Sequence, residues 1–91
     1  MNLTDLYATI LDRQKHPKPG SYTNSLFEAG LPRMAQKVGE EATEVVVAAL
    51  AQDSARLVEE LADLTYHSLV LMAAKGLTPQ DVLEVLARRH R

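Results

Sequence analysis

Two pairs of acidic residues in the middle of the chain are the residues best suited to chemistry. Glu41 and Glu44 form the first pair, and Glu60 and Asp63 form the second, with the members of each pair three positions apart. Residues at i and i+3 share one face of a helix, so two helices joined by a short turn would direct all four carboxylates toward one point. Burying unpaired charge is costly, and a divalent cation would neutralise it.

The position of the turn supports this convergence. Gln52 and Asp53 interrupt the apolar pattern between the two acidic pairs. Glu44 lies about eight residues before this turn and Glu60 about seven after it, and at ~1.5 Å per helical residue the two lie at nearly the same level. We therefore expect the two helices to be antiparallel and their acidic residues to face each other.

The candidate ligands are all carboxylate oxygens, and this set of donors favours a hard cation. Cysteine is absent, and no glutamate has a histidine three residues later, the spacing that di-iron carboxylate bundles use. We therefore expect Mg²⁺, or alternatively Mn²⁺, rather than iron or zinc. Such ions commonly bind substrate phosphates as well, and Lys37, one turn before Glu41, offers a phosphate a positive partner.

The alternative interpretation is that these acids lie on solvated helix faces. Like charges at i,i+3 or i,i+4 destabilise a helix by a few tenths of a kcal/mol, and Glu40, Glu41 and Glu44 would all contribute to that cost. The second helix is apolar nearly all round, as in a buried helix, except for one polar stripe: Arg56, Glu60, Asp63 and His67. A polar stripe on such a helix favours a site over a solvated face.

The apolar periodicity and the cap residues predict an all-α fold of four to five helices in an antiparallel bundle. We place long helices at residues 3–14, 32–51 and 54–75, and a further helix from Pro79 onward. Asn2 and Thr78 are the predicted N-caps of the first and last of these, and Pro32 suits a first helical turn. Residues 26–29 are predicted to form one short helical turn.

Residues 15–25 are predicted to form a loop. They contain two prolines, a glycine and several residues that favour caps and turns, and the segment is longer than the usual four to six residues or so of a connection. Two interpretations are open. The segment is either a surface crossover or a phosphate-binding loop, for which Lys15, His16 and Lys18 would supply positive charge.

Length and composition narrow the class of protein. The 91 residues suit one small domain, which we place at residues 1–91, and a hydrophobic content of 46% argues against disorder. A net charge of −2 gives no electrostatic reason to expect a nucleic-acid partner. No apolar run approaches the ~18 residues of a membrane span, and the N-terminus lacks a signal-peptide pattern. We expect a cytoplasmic protein.

The helix predicted at residues 54–75 also indicates self-association. Its apolar residues occupy two opposite sides: Leu57, Leu61, Leu64, Leu71 and Met72 on one, and Val58, Ala62, Leu69 and Ala73 on the other. A domain of this length buries only ~60–65% of its unfolded surface, and monomers seldom expose large apolar patches. We therefore expect an obligate homodimer with the helices at residues 32–51 and 54–75 at its interface, in which a second copy completes the bundle.

Several short motifs together resemble a known family. Glu40-Glu41-Ala42-Thr43-Glu44 and Glu60-Leu61-Ala62-Asp63 resemble the EExxE…ExxD signature of the all-α nucleoside triphosphate pyrophosphohydrolases. Three further runs are similar to the phosphoribosyl-ATP pyrophosphohydrolases of histidine biosynthesis: Ser21-Tyr22-Thr23, Lys37-Val38-Gly39-Glu40-Glu41 and Ala62-Asp63-Leu64-Thr65-Tyr66-His67. The resemblance extends from the first predicted helix to the last.

The resemblance implies a reaction and a set of site residues. The reaction is the hydrolysis of 1-(5-phosphoribosyl)-ATP to 1-(5-phosphoribosyl)-AMP and pyrophosphate, with bound cations and an activated water. The implied metal ligands are Glu41, Glu44, Glu60 and Asp63, and either Glu40 or Glu44 would orient or deprotonate the water. Lys37 would hold a phosphate, and the implied contacts to the ribosyl phosphate are Arg13, Lys15, Ser21, Tyr22 and Thr23. We interpret His67 as a packing or supporting residue rather than a catalytic one.

The resemblance also suggests a partner, and two other functions stay open. In some organisms this activity is fused to the phosphoribosyl-AMP cyclohydrolase that acts next, so an association with that enzyme is implied. A house-cleaning pyrophosphohydrolase for dUTP or abnormal nucleoside triphosphates would use the same metal site. A helical interaction module with solvated acids would need no metal and would tolerate glutamate-to-glutamine changes.

Overall fold

The computed structural model describes residues 1–90, which form five α-helices and no strand. The helices are α1 (Leu3–Lys15), α2 (Tyr22–Ala29), α3 (Leu31–Ala51), α4 (Ser54–Ala74) and α5 (Pro79–Arg89). The predicted all-α class is confirmed, and the predicted ends of the three long helices are correct to within one residue. None of the helices among these residues has the length and apolarity to cross a membrane.

Local cap chemistry explains where most helices begin. In α1, the Asn2 side chain accepts from the Asp5 backbone and the Asp5 side chain accepts from the Asn2 backbone, which forms a capping box. Thr78 and Asp81 form the same arrangement at the start of α5. Asp53 caps α4. These caps satisfy N–H groups that have no partner inside the helix.

The connection after α1 corrects the sequence-based prediction. The predicted loop extends to residue 25, but α2 already begins at Tyr22, so the connection is only residues 16–21. Ser21 is the N-cap, and its hydroxyl accepts the Asn24 backbone N–H at 3.3 Å. The prediction was wrong because hydroxyl and amide residues are typical of both loops and helix caps. Tyr22 and Thr23 are therefore helical rather than part of a loop.

Asn24 holds this connection in place. Its side chain is buried, its Nδ2 donates to the backbone carbonyl of Arg13 at 2.6 Å, and its Oδ1 accepts from the backbone N–H of Lys18 at 2.8 Å. One side chain thus ties the end of α1, the connection and α2 together. The sequence offered no specific signal for this role, because it depends on how α2 folds back on α1.

A sharp change of direction separates α2 from α3. Gly30 ends α2 with φ 96°, a left-handed conformation that favours glycine. Pro32 follows in the first turn of α3, where its missing N–H costs no helical hydrogen bond. The change of direction allows α2 to pack against both α3 and α4.

The hydrophobic core lies at one end of the α3–α4 pair. It consists of Tyr7, Ile10, Leu26, Met34, Leu69, Val70 and Ala73. These residues come from α1, α2, the first half of α3 and the second half of α4. The Tyr7 hydroxyl also donates to the backbone carbonyl of Leu77, which fastens the α4–α5 connection to α1. The core therefore fixes the end of this α3–α4 hairpin that lies opposite its turn at Gln52 and Asp53.

The other half of the hairpin contributes nothing to this core. We call residues 44–62 the hairpin arm; only Ala48 and Glu60 are buried within it. Its exposed large apolar residues are Val46, Val47, Leu50, Val58 and Leu61. The arm explains why the radius of gyration is 14.2 Å, against about 12 Å for a compact domain of this length. The exposed surface is 6213 Å², against about 5,200 Å² for a typical monomer of this mass.

One expectation about the apolar surface of α4 was wrong. Leu69 and Ala73 were predicted to be covered by a second copy of the chain, but both are buried in the chain's own core. Val58 and Ala62 on the same side are exposed. The exposed apolar side chains of α4 are thus confined to its half of the arm and do not run the length of the helix.

Candidate metal centre

Three of the predicted carboxylates meet at the base of the hairpin arm. Glu41 lies on α3, and Glu60 and Asp63 lie one turn apart on α4. One carboxylate oxygen from each residue lies within 4.8 Å of the others. Glu41 is 5% exposed and Glu60 is 3% exposed, whereas Asp63 faces solvent. The group can bind a metal ion, with two buried ligands below and one exposed ligand at the opening.

The buried oxygens argue for a cation more strongly than the clustering does. In Glu41 and in Glu60, the Oε2 atom is buried without a hydrogen-bond partner within residues 1–90. Buried polar atoms are normally paired, and a buried carboxylate oxygen without a partner is expensive. A cation between the two helices would remove that cost, and a set of carboxylate oxygens suits a hard divalent ion. The residues present therefore fit a metal ion.

Two basic residues hold the other oxygens of these carboxylates. Lys37 Nζ lies 3.3 Å from Glu41 Oε1 and 3.4 Å from Glu40 Oε2. Burial lowers the pKa of Lys37, but the hydrogen bond to Glu41, the nearby Tyr22 phenol and the hydrogen bond to Glu40 raise it, and the net pKa is raised. The side chain therefore stays an ammonium. On the other side, Arg56 pairs with Glu60 and, at 2.6 Å, with Glu59.

Glu44 is not brought into the group, which corrects the predicted four-carboxylate cluster. The buried positions of α3 are Met34, Glu41 and Ala48, spaced seven residues apart. Glu44, three residues after Glu41, is rotated by about 60° from that line. It is exposed and lines a small cleft of about 260 Å³ beside Arg56 and Glu60. Glu44 thus lies at the edge of the centre rather than inside it.

Glu40, the other candidate for acting on water, is occupied by cations. It pairs with Arg33 at 3.4 Å as well as with Lys37. Glu44 has no ion pair of this kind within the described part of the chain. Glu40 is therefore already engaged by two basic side chains, whereas Glu44 lines the cleft without a salt bridge of its own within residues 1–90.

The predicted substrate residues divide into two groups. Ser21 and Tyr22 line a surface cleft of about 620 Å³ together with Lys18, which the sequence named as a source of positive charge for a phosphate-binding loop. Arg13 and Lys15 do not line it. Both lie in the last turn of α1, and Arg13 bonds Asp12 at 2.9 Å. The resemblance implied both as contacts to the ribosyl phosphate, but neither forms part of the cleft wall.

An aromatic cluster joins this cleft to the metal centre, and sequence reasoning missed it. Tyr66 and His67 on α4 and Tyr22 on α2 have ring centroids 5.0–6.2 Å apart. The hydroxyl of Thr23, predicted to bind substrate, bonds the Tyr66 hydroxyl instead. His67 is buried and bonds both Tyr22 and the backbone carbonyl of Asp63. The Tyr-His pair in the motif was a visible signal, but its contact with Tyr22 is not readable from sequence.

Together, the fold and the site define an all-α protein with a cluster of carboxylates that could bind a metal ion at the base of an antiparallel helical hairpin. A family model described as phosphoribosyl-ATP pyrophosphohydrolase matches residues 3–90. The chain belongs to this family of hydrolases.

The chain is similar to characterised proteins over nearly its whole length. It is 55% identical to the phosphoribosyl-ATP pyrophosphatase of Sulfurisphaera tokodaii, across 98% of this chain and 95% of the relative. Identity to the protein of the same name from Sulfolobus acidocaldarius is also 55%, across 94% of this chain and 90% of the relative. It is 51% identical to the histidine biosynthesis bifunctional protein HisIE of Oceanobacillus iheyensis, across 91% of this chain but 39% of that relative.

These findings weigh against the interpretation of the acids as solvated helix faces. A solvated glutamate would be exposed, yet Glu41 and Glu60 are among the few buried charged residues of the chain. The interaction module without catalysis is therefore the wrong function class, because the family is one of hydrolases.

Proposed function

We propose that this chain hydrolyses 1-(5-phosphoribosyl)-ATP to 1-(5-phosphoribosyl)-AMP and pyrophosphate in L-histidine biosynthesis. The observation that carries the proposal is the pair of buried, unpartnered carboxylate oxygens of Glu41 and Glu60 in a chain that matches this family from residue 3 to residue 90. The substrate is inferred from the names of its relatives, which are phosphoribosyl-ATP pyrophosphatases. We place the activity in the cytoplasm, in a single domain of residues 1–91.

The metal is proposed to be Mg²⁺, with Mn²⁺ as the alternative. Glu41, Glu60 and Asp63 would hold it, and Glu44 would complete the set from the edge of the cleft. When bound, the ion would neutralise phosphate charge and lower the pKa of a bound water. The chain's own part is to supply negative charge on rigid helices and to bring Lys37 beside that charge, where the ammonium can hold a phosphate.

The connection and the first turn of α2 are proposed to bind the other end of the substrate. Lys18 and Ser21 line the cleft there and offer a positive charge and a hydroxyl. Arg13 and Lys15 stay secondary candidates, since neither lines the cleft. Tyr22 lines this cleft and also lies near Lys37. This arrangement suits a substrate with phosphates at both ends.

The direct test is to follow products from phosphoribosyl-ATP with Mg²⁺ and after chelation. We expect phosphoribosyl-AMP and pyrophosphate in equal amounts, and no turnover with chelator. The alternative of a house-cleaning pyrophosphohydrolase is tested with ATP, dUTP and oxidised nucleoside triphosphates. It is excluded if kcat/KM for each of them is at least ~100-fold lower than for phosphoribosyl-ATP. Equal use of dUTP, or release of orthophosphate, would contradict the proposal.

Replacing each of the two candidate bases separates their roles. We expect Glu44→Gln to lower kcat by about 100-fold or more, the range typical for loss of a general base, because Glu44 has no cation to lose and faces the cleft. Glu40→Gln should change kcat by less than about tenfold, since it only frees Lys37 and Arg33. The measurement is steady-state kinetics at saturating Mg²⁺. The reverse order of effects would assign the water to Glu40.

We also propose two associations. A homodimer would cover the exposed apolar side chains of the hairpin arm, which a single chain leaves in water.

An association with the phosphoribosyl-AMP cyclohydrolase is supported by the bifunctional relative from Oceanobacillus iheyensis, of which this chain matches 39%. The remainder of that relative is long enough to hold a second activity.

A further inference from the structure

His67 is a buried histidine with both ring nitrogens in hydrogen bonds. Its Nδ1 lies 2.8 Å from the backbone carbonyl oxygen of Asp63, and its Nε2 lies 3.0 Å from the hydroxyl of Tyr22. A carbonyl oxygen can only accept, so Nδ1 carries the hydrogen, and in the neutral ring Nε2 is then an acceptor. The Tyr22 hydroxyl therefore donates its single hydrogen to His67.

This donation decides what Tyr22 can offer to a ligand. The side chain is 52% exposed and lines the cleft, but its hydroxyl has only lone pairs left. Phosphate oxygens at neutral pH are acceptors, so a phosphate would find no hydrogen there. A sugar hydroxyl can donate one, and the bond from Tyr22 to His67 strengthens the phenol oxygen as an acceptor.

The position of Tyr22 is also fixed. It lies in the first turn of α2, and the bond between Thr23 and Tyr66 attaches that turn to α4. Lys37, which pairs with Glu41 of the metal centre, is near enough to be influenced by the Tyr22 phenol. Tyr22 thus stands between the cleft and the charged groups that would hold phosphates, where the sugar of a nucleotide would lie.

We propose that Tyr22 accepts a hydrogen bond from a ribose hydroxyl of the substrate and that His67 is the positioning residue that sets this polarity. The inference rests on the proposed function for the identity of the substrate. It replaces the expectation that the Ser21–Thr23 hydroxyls together bind phosphate: Tyr22 recognises the sugar, and Thr23 fastens the helix.

Kinetics of Tyr22→Phe test the contact. We expect KM for phosphoribosyl-ATP to rise about tenfold with kcat changed less than about twofold, as for the loss of one hydrogen bond made equally in ground and transition states. The inhibition constant of pyrophosphate should not change. An equal rise in KM and in the inhibition constant of pyrophosphate would show that Tyr22 holds a phosphate. An unchanged KM would show that Tyr22 does not contact the substrate. Either result overturns the proposal.

Variants of His67 test the positioning role. His67→Phe keeps a ring without an acceptor and should raise KM as much as Tyr22→Phe does, and the double variant should be no worse than either. His67→Gln, which places an amide oxygen near the Nε2 position, should restore most of the loss. Tyr7→Phe, a matched control that removes a tyrosine hydroxyl outside this cluster, should leave KM unchanged. If the effects of His67→Phe and Tyr22→Phe on KM were additive, or if His67→Gln did not restore KM, His67 would have only a structural role.

A measurement on the free protein separates this inference from the proposed function. The ¹⁵N spectrum of His67 at about pH 8 should show the Nδ1–H tautomer, and Tyr22→Phe should shift the Nε2 signal. The other tautomer would overturn the polarity argument. If the wild type fails to hydrolyse phosphoribosyl-ATP, the proposed function fails, and binding of ATP and pyrophosphate to wild type and Tyr22→Phe still decides the contact.

Discussion

Glu41→Gln and Glu60→Gln are each expected to lower kcat/KM by about 1,000-fold or more while leaving the protein folded. Each change removes the negative charge of a buried carboxylate whose Oε2 has no hydrogen-bond partner among residues 1–90. A loss of about 4 kcal/mol in charge stabilisation corresponds to this factor, at ~1.4 kcal/mol per tenfold. Steady-state kinetics at saturating Mg²⁺ measures it. Near-normal activity in either variant would contradict the metal centre.

Stability gives the same prediction a second readout. Binding of Mg²⁺ at 100 times its dissociation constant should stabilise the wild type by ~2.7 kcal/mol, which for a domain this small raises Tm by roughly 10 °C or more. Both glutamine variants should lose this shift. Without metal their Tm should stay close to that of the wild type, because relief of the repulsion among three clustered carboxylates offsets the loss of one ion pair, to Lys37 or to Arg56. Glu84→Gln, an exposed change on α5, is the control that should retain both activity and shift.

Val58→Asp is expected to separate or unfold a dimer that is otherwise stable at low micromolar concentration. Val58 is 65% exposed in the single chain and lies on the hairpin arm. In a twofold interface each substitution occurs twice, and burying a valine contributes ~1.5–3 kcal/mol per side chain, to which the cost of burying a carboxylate is added. Sedimentation should show loss of the dimer, and Tm should fall sharply.

The control for this variant is Leu83→Asp on α5, where the leucine is 55% exposed outside the arm. It should leave both sedimentation and Tm nearly unchanged. For the wild type, Tm should rise with protein concentration, as it does for proteins that fold as dimers. A wild-type monomer that is folded and active at low micromolar concentration, or a Val58→Asp variant that remains dimeric, would contradict the proposed interface.

Local patterns were sufficient to predict most of the fold. Apolar spacing and the caps at Asn2 and Thr78 predicted the helices because a helix start depends on neighbours three or four residues away. The same locality explains the error at α2. Ser21 and Asn24 look alike in a loop and in a cap, and only the burial of Asn24 against α1 selects the helix.

At the candidate site, too, some features could be predicted from local sequence and others depend on tertiary packing. Residue types and spacing identified carboxylates on two helices and a cation beside them. They did not show that Glu44 turns away, because a rotation of about 60° around α3 is set by how Met34 and Ala48 pack and not by the acids themselves. The resemblance also implied Arg13 and Lys15 as substrate contacts, but both lie in the last turn of α1 and do not line the cleft.

The sequence by itself determined the helices, the all-oxygen character of the metal centre and the family, because these depend on residue types at fixed short spacing. The tertiary structure decided which three carboxylates meet, which half of α4 lacks a cover and what faces Tyr22. Each of these depends on contacts between residues distant in the chain: Tyr22 and His67 are 45 positions apart. No local periodicity encodes such a pairing, since it arises only when α2 is packed against α4 by the core at one end of the hairpin.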